Sequence, residues 1–178
     1  MSDRRTCHQL AGLSAAAPDL AEADEDCLYL YINVPGTWPP PEPLPVLIWF
    51  TGGAFVFGRI VLKLSEVLTL SNVIKGSGNW YGVDFWMPHD VIIVAVNYRL
   101  GPFGFLTLGL EDAPGNQGLL DQRQSMVWVQ ENIRDFMGDP DRVTIGGESA
   151  GSFSVFYHMM SPGSQVEQQW FMLLSKLQ

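Results

Sequence analysis

The stretch Arg142-Val143-Thr144-Ile145-Gly146-Gly147-Glu148-Ser149-Ala150-Gly151 decides the fold of this chain. It begins with a short apolar run rich in β-branched residues, which is typical of a buried strand. It ends in the pattern G-x-S-x-G, and residues 152–160 after it contain no Gly or Pro, which favours a helix. A strand, G-x-S-x-G and a helix in this order place the serine on a sharp turn that exposes its hydroxyl. We therefore predict that Ser149 is a nucleophile, although a serine that caps the helix N-terminus would fit the same position.

The composition indicates a globular protein and argues against several classes of partner. Of 178 residues, 47% are hydrophobic and 16% are charged, and the net charge is −9. Because binding to a phosphate backbone needs clustered Lys and Arg, we expect no nucleic-acid partner. No apolar run is long enough to span a bilayer, so we expect no membrane span. We also expect no cofactor and no metal.

Apolar runs alternate with helical stretches along the chain. Strands are predicted at residues 28–34, 46–50, 91–96 and 142–145. A helix is predicted from about 117 to 137, capped by Asn116 and with the apolar contacts Leu120, Val127, Ile133 and Phe136. The proline-rich residues 35–45 are predicted to be an extended connector and residues 100–115 a loop. Because the strongest strands are continuous apolar runs, we predict an α/β fold with a mainly parallel central sheet and flanking helices.

Seven motifs resemble the type-B carboxylesterase and cholinesterase family, which has the α/β-hydrolase fold. They occur in the family's order and cover most of residues 20–162, apart from 59–76. The motifs are EDCLYL (25–30), GGAF (52–55), NYRLGPFGFL (97–106), GNQGLLDQ (115–122), WVQENI (128–133), GDP (138–140) and GESAG (147–151). Family members are usually much longer, so the resemblance implies a partial α/β-hydrolase fold. Residues 1–178 would then form one incomplete domain.

The resemblance implies a catalytic role for four residues. Ser149 would attack a small carboxylic ester, and water would hydrolyse the acyl-enzyme. The backbone N–H groups of Gly53, Ala54 and Ala150 would form the oxyanion hole. Small residues suit this role because they let backbone donors approach a substrate oxygen.

The resemblance also implies two structural pairs. Cys7 and Cys27, which alone say little, would form a family disulfide, and Arg99 and Asp121 a buried ion pair. Closing a loop of 27 − 7 = 20 residues stabilises a fold by about 3 kcal/mol in a chain-entropy model. The family and the cysteine pair suggest a secreted or ER-lumenal protein. The N-terminal segment is not interpreted as a signal peptide, because Cys7-His8-Gln9 interrupts its apolar stretch.

The sequence departs from the family at several places. Residues 59–76 are an insertion next to the oxyanion-hole motif, and residues 163–178 are a divergent tail. Met137 replaces a family glycine, and Thr51 stands where many relatives have His or Tyr. No Trp lies between the two cysteines, where the cholinesterase branch has a choline-binding ring. This absence favours an esterase other than a cholinesterase.

The remaining members of a catalytic triad are missing from the sequence. In α/β-hydrolases an acid and then a His follow the nucleophile, and here only Glu167 and His158 do. His158 lies nine residues along the predicted helix, a rise of about 13 Å, which is beyond hydrogen-bond reach. We therefore expect a fragment that lacks the triad acid and His, lacks the strands after the nucleophile helix, and is inactive alone.

Two other interpretations stay open at this point. The chain could be a non-catalytic cholinesterase-like binding or adhesion module, or a truncated gene product without independent function. The full transcript separates them. A reading frame that continues to an acid and a His favours the esterase, a membrane span favours the adhesion module, and a stop after Gln178 favours truncation.

The insertion yields the first testable prediction. Deleting residues 59–76 from a completed enzyme should raise soluble yield or activity, because the segment adjoins a loop that must be rigid. Expression of the two forms side by side, followed by an ester assay, measures both quantities. A loss of yield and activity together would show that the segment belongs to the working fold.

Overall fold

The computed structural model describes residues 6–8, 23–36, 38–58, 87–164 and 171–174, the last of these as backbone only. The predicted insertion at residues 59–76 lies outside the described residues. In chain order the elements are β1 (Leu30–Asn33), β2 (Leu44–Phe50), β3 (Ile92–Val96), α1 (Gly101–Phe105), β4 (Thr107–Leu110), β5 (Ala113–Pro114), α2 (Gln117–Asn132), β6 (Gly138–Gly147), α3 (Ala150–Met160) and β7 (Phe171–Leu174). Short 3-10 helices lie at Met87–His89, Ile133–Phe136 and Pro162–Ser164.

Five of the strands form one central sheet in the order β1-β3-β2-β6-β7. β3, β2, β6 and β7 run parallel to one another, and β1 pairs antiparallel with β3. Trp49 of β2 is level with Gly146 of β6, and Phe50 with Gly147. The carboxyl ends of these two strands therefore meet at one edge of the sheet. The predicted α/β class with a mainly parallel sheet is confirmed.

The middle of the sheet is buried on both faces, because β2 and β3 consist of apolar residues throughout. Residues 46, 48 and 50 of β2 belong to a large core cluster that includes Met126 and Val129 of α2 and Val155 of α3. The alternate residues, Leu47 and Trp49, pack with Ile93 in a second cluster. A continuous apolar run is what such a doubly covered strand requires.

The long helix α2 packs through a stripe that only partly matches the prediction. Its buried positions are Gly118, Gln122, Ser125, Met126 and Val129, at helical spacing. Leu120, predicted as a core contact, is instead 53% exposed. Because part of the buried stripe is polar, the spacing of apolar residues predicted the wrong face of α2 in its first turn.

Both ends of this helical segment use left-handed backbone. Asn116, with φ of 62°, precedes α2 without a side-chain capping bond, so the predicted cap is right in position but not in mechanism. Met137 follows the 3-10 helix with φ of 58°. Glycine adopts this conformation without a steric cost, which explains why the family has Gly where this chain has Met137.

Residues 100–115 contain more structure than the predicted loop. α1 occupies Gly101–Phe105 with Pro102 in its first turn, where the missing N–H of proline costs nothing. β4 and β5 form a separate two-stranded antiparallel ribbon. The Gly and Pro residues in this segment indicated a loop, although a short helix begins at Gly101.

The sheet also includes a strand that follows α3, contrary to expectation. β7 pairs parallel with β6, with Thr144 opposite Phe171 and Gly147 opposite Leu174. The expectation that no strand follows α3 was wrong, because it rested on the absence of family motifs in the tail. The apolar run Phe171-Met172-Leu173-Leu174 is itself a strand pattern.

A disulfide joins Cys7 to the segment before β1, and an ion pair joins the segment after β3 to α2. The predicted disulfide between Cys7 and Cys27 is confirmed, with the two Cα atoms 4.8 Å apart. Asp121 of α2 accepts three hydrogen bonds from Arg99, one from the backbone N–H and two from the guanidinium. The side chain of Asp121 is 8% exposed and that of Arg99 is 40% exposed.

In the described part of the chain, no helix is long and apolar enough to cross a membrane.

The ion pair gives the second prediction. Asp121→Ala should lower the free energy of unfolding by about 2 kcal/mol, because it removes a buried acceptor of charged hydrogen bonds. Urea denaturation of the chain measures the change. Asp141→Ala is the matched control, since Asp141 is exposed and lies 3.7 Å from Arg134; its effect should stay below about 0.5 kcal/mol. Equal effects of the two substitutions would contradict a structural role for Arg99 and Asp121.

Candidate active site

Ser149 lies at the turn between β6 and α3 in a strained backbone conformation. Its φ and ψ angles are 53° and −119°, a region that residues other than glycine rarely occupy. Its carbonyl oxygen accepts hydrogen bonds from the N–H groups of Ser152 and Phe153 and from the Ser152 hydroxyl, at 3.0, 3.1 and 2.7 Å. The first turn of the helix thus holds Ser149 in place. The serine makes no side-chain capping bond, so the capping alternative is not realised.

The two glycines of G-x-S-x-G are required by close packing. A Cβ atom on Gly151 would lie 2.0 Å from the carbonyl oxygen of Phe50, at the end of β2. A Cβ atom on Gly147 would lie 2.5 Å from the carbonyl carbon of Gly151 and 2.8 Å from the same Phe50 oxygen. Only glycine at both positions lets the turn approach the neighbouring strand.

The loop that follows β2 contacts this turn directly. A Cβ atom on Gly52 would lie 3.1 Å from Cβ of Ser149 and 2.7 Å from the carbonyl oxygen of Glu148. Gly53, Ala54 and Phe55 have positive φ angles of 116°, 53° and 63°. The Gly53 carbonyl accepts hydrogen bonds from the N–H groups of Val56 and Phe57. The resulting compact turn lies beside Ser149.

The three predicted oxyanion-hole residues present unused donors beside the serine. Within the ranges that the structure describes, the backbone N–H groups of Gly53, Ala54 and Ala150 donate no hydrogen bond. Ala150 is the first residue of α3, so its N–H also lies at the positive end of the helix dipole. Donors with these properties suit a developing negative charge.

Glu148 places a carboxyl group against the same loop. Its Oε2 atom is buried and has no hydrogen-bond partner among the described residues. A Cβ atom on Gly52 would lie 2.4 Å from this oxygen. Burial raises the pKa of Glu148 above its ordinary value. The carboxyl group packs beside the turn and contacts no histidine in any described interaction.

His158 belongs to a buried polar network and not to a catalytic triad. Its Nε2 lies 3.0 Å from Oε1 of Gln122, and its Nδ1 lies 2.9 Å from the hydroxyl of Ser164. Gln122 in turn donates to the hydroxyl of Ser154, which donates to the carbonyl of Ala150. The amide nitrogen of Gln122 donates to Ser154, so its oxygen faces Nε2 of His158. Because this oxygen can only accept, His158 carries its proton on Nε2 and accepts from Ser164 at Nδ1. Both ring nitrogens are therefore occupied.

No other described residue completes a triad. His8 stacks against Phe103, near the disulfide, with ring centroids 5.4 Å apart. His89 is exposed at the end of the 3-10 helix Met87–His89, and Glu167 lies outside the described residues. The described residues also contain no group of three or more His, Cys, Asp or Glu that could hold a metal ion.

A serine on a turn between a parallel strand and a helix, beside a glycine loop on the adjacent strand, is the arrangement of the α/β-hydrolase fold. Comparison with solved structures agrees. A PNB esterase structure superposes with a TM-score of 0.69 and 40% identity over 93% of this chain and 30% of that one. A thermophylic PNB esterase gives a TM-score of 0.70 and 40% identity, over 90% of this chain and 30% of that one.

Sequence comparison then identifies the family. The sequence model of the carboxylesterase family matches residues 1–174. The chain belongs to the carboxylesterase family. It is similar to cholinesterase 1 of Branchiostoma lanceolatum, with 45% identity over 79% of this chain and 35% of the relative.

Two further relatives have similar sequence identities. Acetylcholinesterase of Danio rerio is 46% identical over 79% of this chain and 20% of the relative. Venom carboxylesterase-6 of Apis mellifera is 43% identical over 80% of this chain and 22% of the relative. The chain thus spans about a fifth to a third of the curated relatives it matches. The identities to cholinesterases and to the carboxylesterase are close, so they do not separate the two groups.

Sequence reasoning missed the polar network behind the turn. Gln122 and Ser154 are fully buried, and Ser164 is 3% exposed. The available signal was Gln122, a polar residue four positions after Gly118 on the buried stripe of α2. A polar side chain at a core position needs buried partners, and His158 and Ser154 supply them.

The network gives the third prediction, a pH dependence. Burial, aided by the charge of Arg123, lowers the pKa of His158 from 6.5 to about 4. The other groups that face its ring, Gln122, Ser164 and Phe50, are uncharged. As the pH falls, His158 therefore takes up a proton near pH 6.5 in the unfolded chain but only near pH 4 in the folded chain. Stability should fall as the pH falls through this window, by about 3 kcal/mol from this group.

Chemical denaturation of the wild type and of His158→Gln across pH 7 to 4 tests this prediction, with pH limits chosen to bracket the window. The variant should lack this part of the pH dependence, because its side chain does not titrate. Contributions from Glu148 and other carboxyl groups cancel in the difference between the two proteins. His89→Gln, at an exposed position, serves as the matched control and should follow the wild type. Parallel curves for wild type and His158→Gln would contradict the prediction.

Proposed function

We propose that the protein is a carboxylic-ester hydrolase in which Ser149 is the nucleophile and the N–H groups of Gly53, Ala54 and Ala150 form the oxyanion hole. The observation that carries the proposal is the contact between the Ser149 turn and the Gly52–Gly53 loop. It brings one half-buried serine and three unused donors to the same sheet edge. Membership of the carboxylesterase family supports the ester as substrate.

The reaction proceeds through an acyl-enzyme. The Ser149 oxygen attacks the ester carbonyl carbon, and its proton passes to a general base. The carbonyl oxygen becomes negatively charged and receives hydrogen bonds from the three backbone donors, each worth about 10²–10³ in rate. The C–O bond to the alcohol then breaks, and the alcohol leaves with a proton. Water attacks the acyl-enzyme and releases the acid and free Ser149.

The described residues supply the nucleophile and the donors but no general base. His158 is unsuitable, since both of its ring nitrogens already have partners. The base and the acid that orients it would have to come from polypeptide other than the described residues. The presence of a serine at position 149 favours an esterase over an adhesion module, because adhesion proteins of the family often replace this residue.

The fourth prediction concerns the activity of residues 1–178 alone. The chain should not turn over an activated aryl ester appreciably, because a serine without a base is a poor nucleophile near neutral pH. Loss of triad members costs about 10⁶ in turnover in a serine hydrolase. The measurement is the ester assay, with Ser149→Ala as control, together with organophosphate labelling. Turnover that Ser149→Ala abolishes, or stoichiometric labelling of Ser149, would mean that the chain holds a base.

Added imidazole turns this negative result into a positive test of the proposal. Imidazole is a small general base that can take the proton of Ser149 in place of a missing histidine. With p-nitrophenyl acetate and imidazole, mass spectrometry should find an acetyl group on Ser149, at a rate that rises with imidazole concentration. Ser149→Ala should show no acetylation in the corresponding peptide. Acetylation of surface lysines without Ser149 would contradict the proposal.

A further inference from the structure

The loop beside Ser149 depends on support from outside itself. Ala54 and Phe55 both have left-handed backbone, with φ of 53° and 63°. For residues other than glycine this costs about 1–2 kcal/mol each. Such a conformation persists only when surrounding groups determine it. The two hydrogen bonds inside the loop, from Val56 and Phe57 to the Gly53 carbonyl, do not fix the loop relative to Ser149.

The support comes from the segment between β3 and α1. The Tyr98 hydroxyl donates a hydrogen bond of 2.7 Å to the carbonyl oxygen of Thr51, the first residue of the loop. The N–H of Gly101 donates at 2.7 Å to the carbonyl oxygen of Phe55. The ring of Phe105 meets that of Phe55 edge-on, with centroids 5.2 Å apart. The loop is thus held on both sides of Gly53 and Ala54.

Tyr98 is the side chain best placed to set the position of the donors. Its bond fixes the peptide between Thr51 and Gly52, and the next peptide carries the N–H of Gly53. Tyr98 is 3% exposed, so the bond has no competition from solvent. Burial raises the pKa of Tyr98 well above its ordinary value, so the hydroxyl keeps its proton and stays a donor.

The rest of the segment is itself held tightly. The Arg99 side chain is bound to Asp121 of α2. A Cβ atom on Gly118 of the same helix would lie 2.5 Å from the Arg99 carbonyl oxygen and 2.7 Å from the ring of Phe105. The tyrosine therefore bonds the loop from a rigid base, as an effective positioning group must.

We propose that Tyr98 is a positioning residue for the oxyanion hole, which orients the Gly53 and Ala54 donors through its hydrogen bond to the Thr51 carbonyl. The inference rests on the proposed function for its catalytic consequence. The hydrogen bond and the order of the loop can be tested separately from catalysis.

The test is Tyr98→Phe, which removes one oxygen atom and keeps the ring. The matched control is Tyr157→Phe on α3, since Tyr157 is 43% exposed and its hydroxyl has no partner among the described residues. Hydrogen exchange measured by mass spectrometry should show faster exchange of the Val56 and Phe57 amides in Tyr98→Phe, by about tenfold or more. Peptides from β6 and α3 should be unchanged, and the control should match the wild type throughout.

The second readout is acetylation of Ser149 by p-nitrophenyl acetate with added imidazole. Tyr98→Phe should lower the limiting rate by about tenfold or more, because small displacements of aligned groups are costly. The ester concentration for half-maximal rate should stay the same, since the tyrosine does not touch the substrate. A role in stability alone would not produce this split between rate and half-saturation.

Each outcome decides the proposal. Unchanged exchange in residues 51–58 overturns it, and so does a limiting rate equal to that of a reactive wild type. Loss of the whole fold in Tyr98→Phe also overturns it, because the hydroxyl would then act globally. If wild-type Ser149 is not acetylated, the proposed function fails. The hydrogen-exchange result then decides alone whether Tyr98 positions the loop.

Discussion

The carbonyl oxygen of Phe50 sets the constraint on which the Ser149 turn and its surroundings depend. It lies where a side chain on either Gly147 or Gly151 would have to be, so the turn at Ser149 and the end of β2 can only meet as bare backbone. That approach is possible because β2 and β6 are parallel neighbours in register. The glycine loop that leaves β2 consequently emerges beside the serine that leaves β6. The architecture of the sheet therefore places Ser149 beside the Gly52–Gly53 loop through backbone packing alone.

Behind this contact, a chain of hydrogen bonds between polar side chains connects the two helices. The bonds from Ser164 through His158, Gln122 and Ser154 to the Ala150 carbonyl link α2 to both ends of α3. Arg123, next to Gln122 on α2, also donates to the carbonyl of Gly163 in the turn after α3. Every member of the buried network has its partner, which is the condition under which such a network rigidifies a core. The helix that carries Ala150 is thus fixed more specifically than apolar packing alone would fix it.

Much of this arrangement could be predicted from local patterns. The strands at 46–50 and 91–96 are continuous apolar runs, and residues 142–145 are rich in β-branched side chains. Glycines mark the turn at Ser149, so the strands and the turn were recognisable from the sequence. The partners of Arg99 and Cys7 came only from the family resemblance, because sequence spacing does not reveal which distant residue lies opposite. The Tyr98 hydroxyl could not be placed at all, since it bonds a backbone carbonyl 47 positions away. The strand at 171–174 was not predicted, because the tail contains none of the family motifs, although these four residues are all apolar.

Helix α3 is apolar on more than its buried side. Ala150, Ser154, Val155 and His158 face the core, while Phe153, Phe156, Tyr157 and Met160 are each more than 40% exposed. These four residues follow the i, i+3, i+4, i+7 spacing of a single stripe. In a cell, a stripe of this kind is what chaperones and proteases use to recognise incomplete folding. The abundance of the polypeptide would then depend on how soon that stripe is covered, whatever the stability of the sheet beneath it.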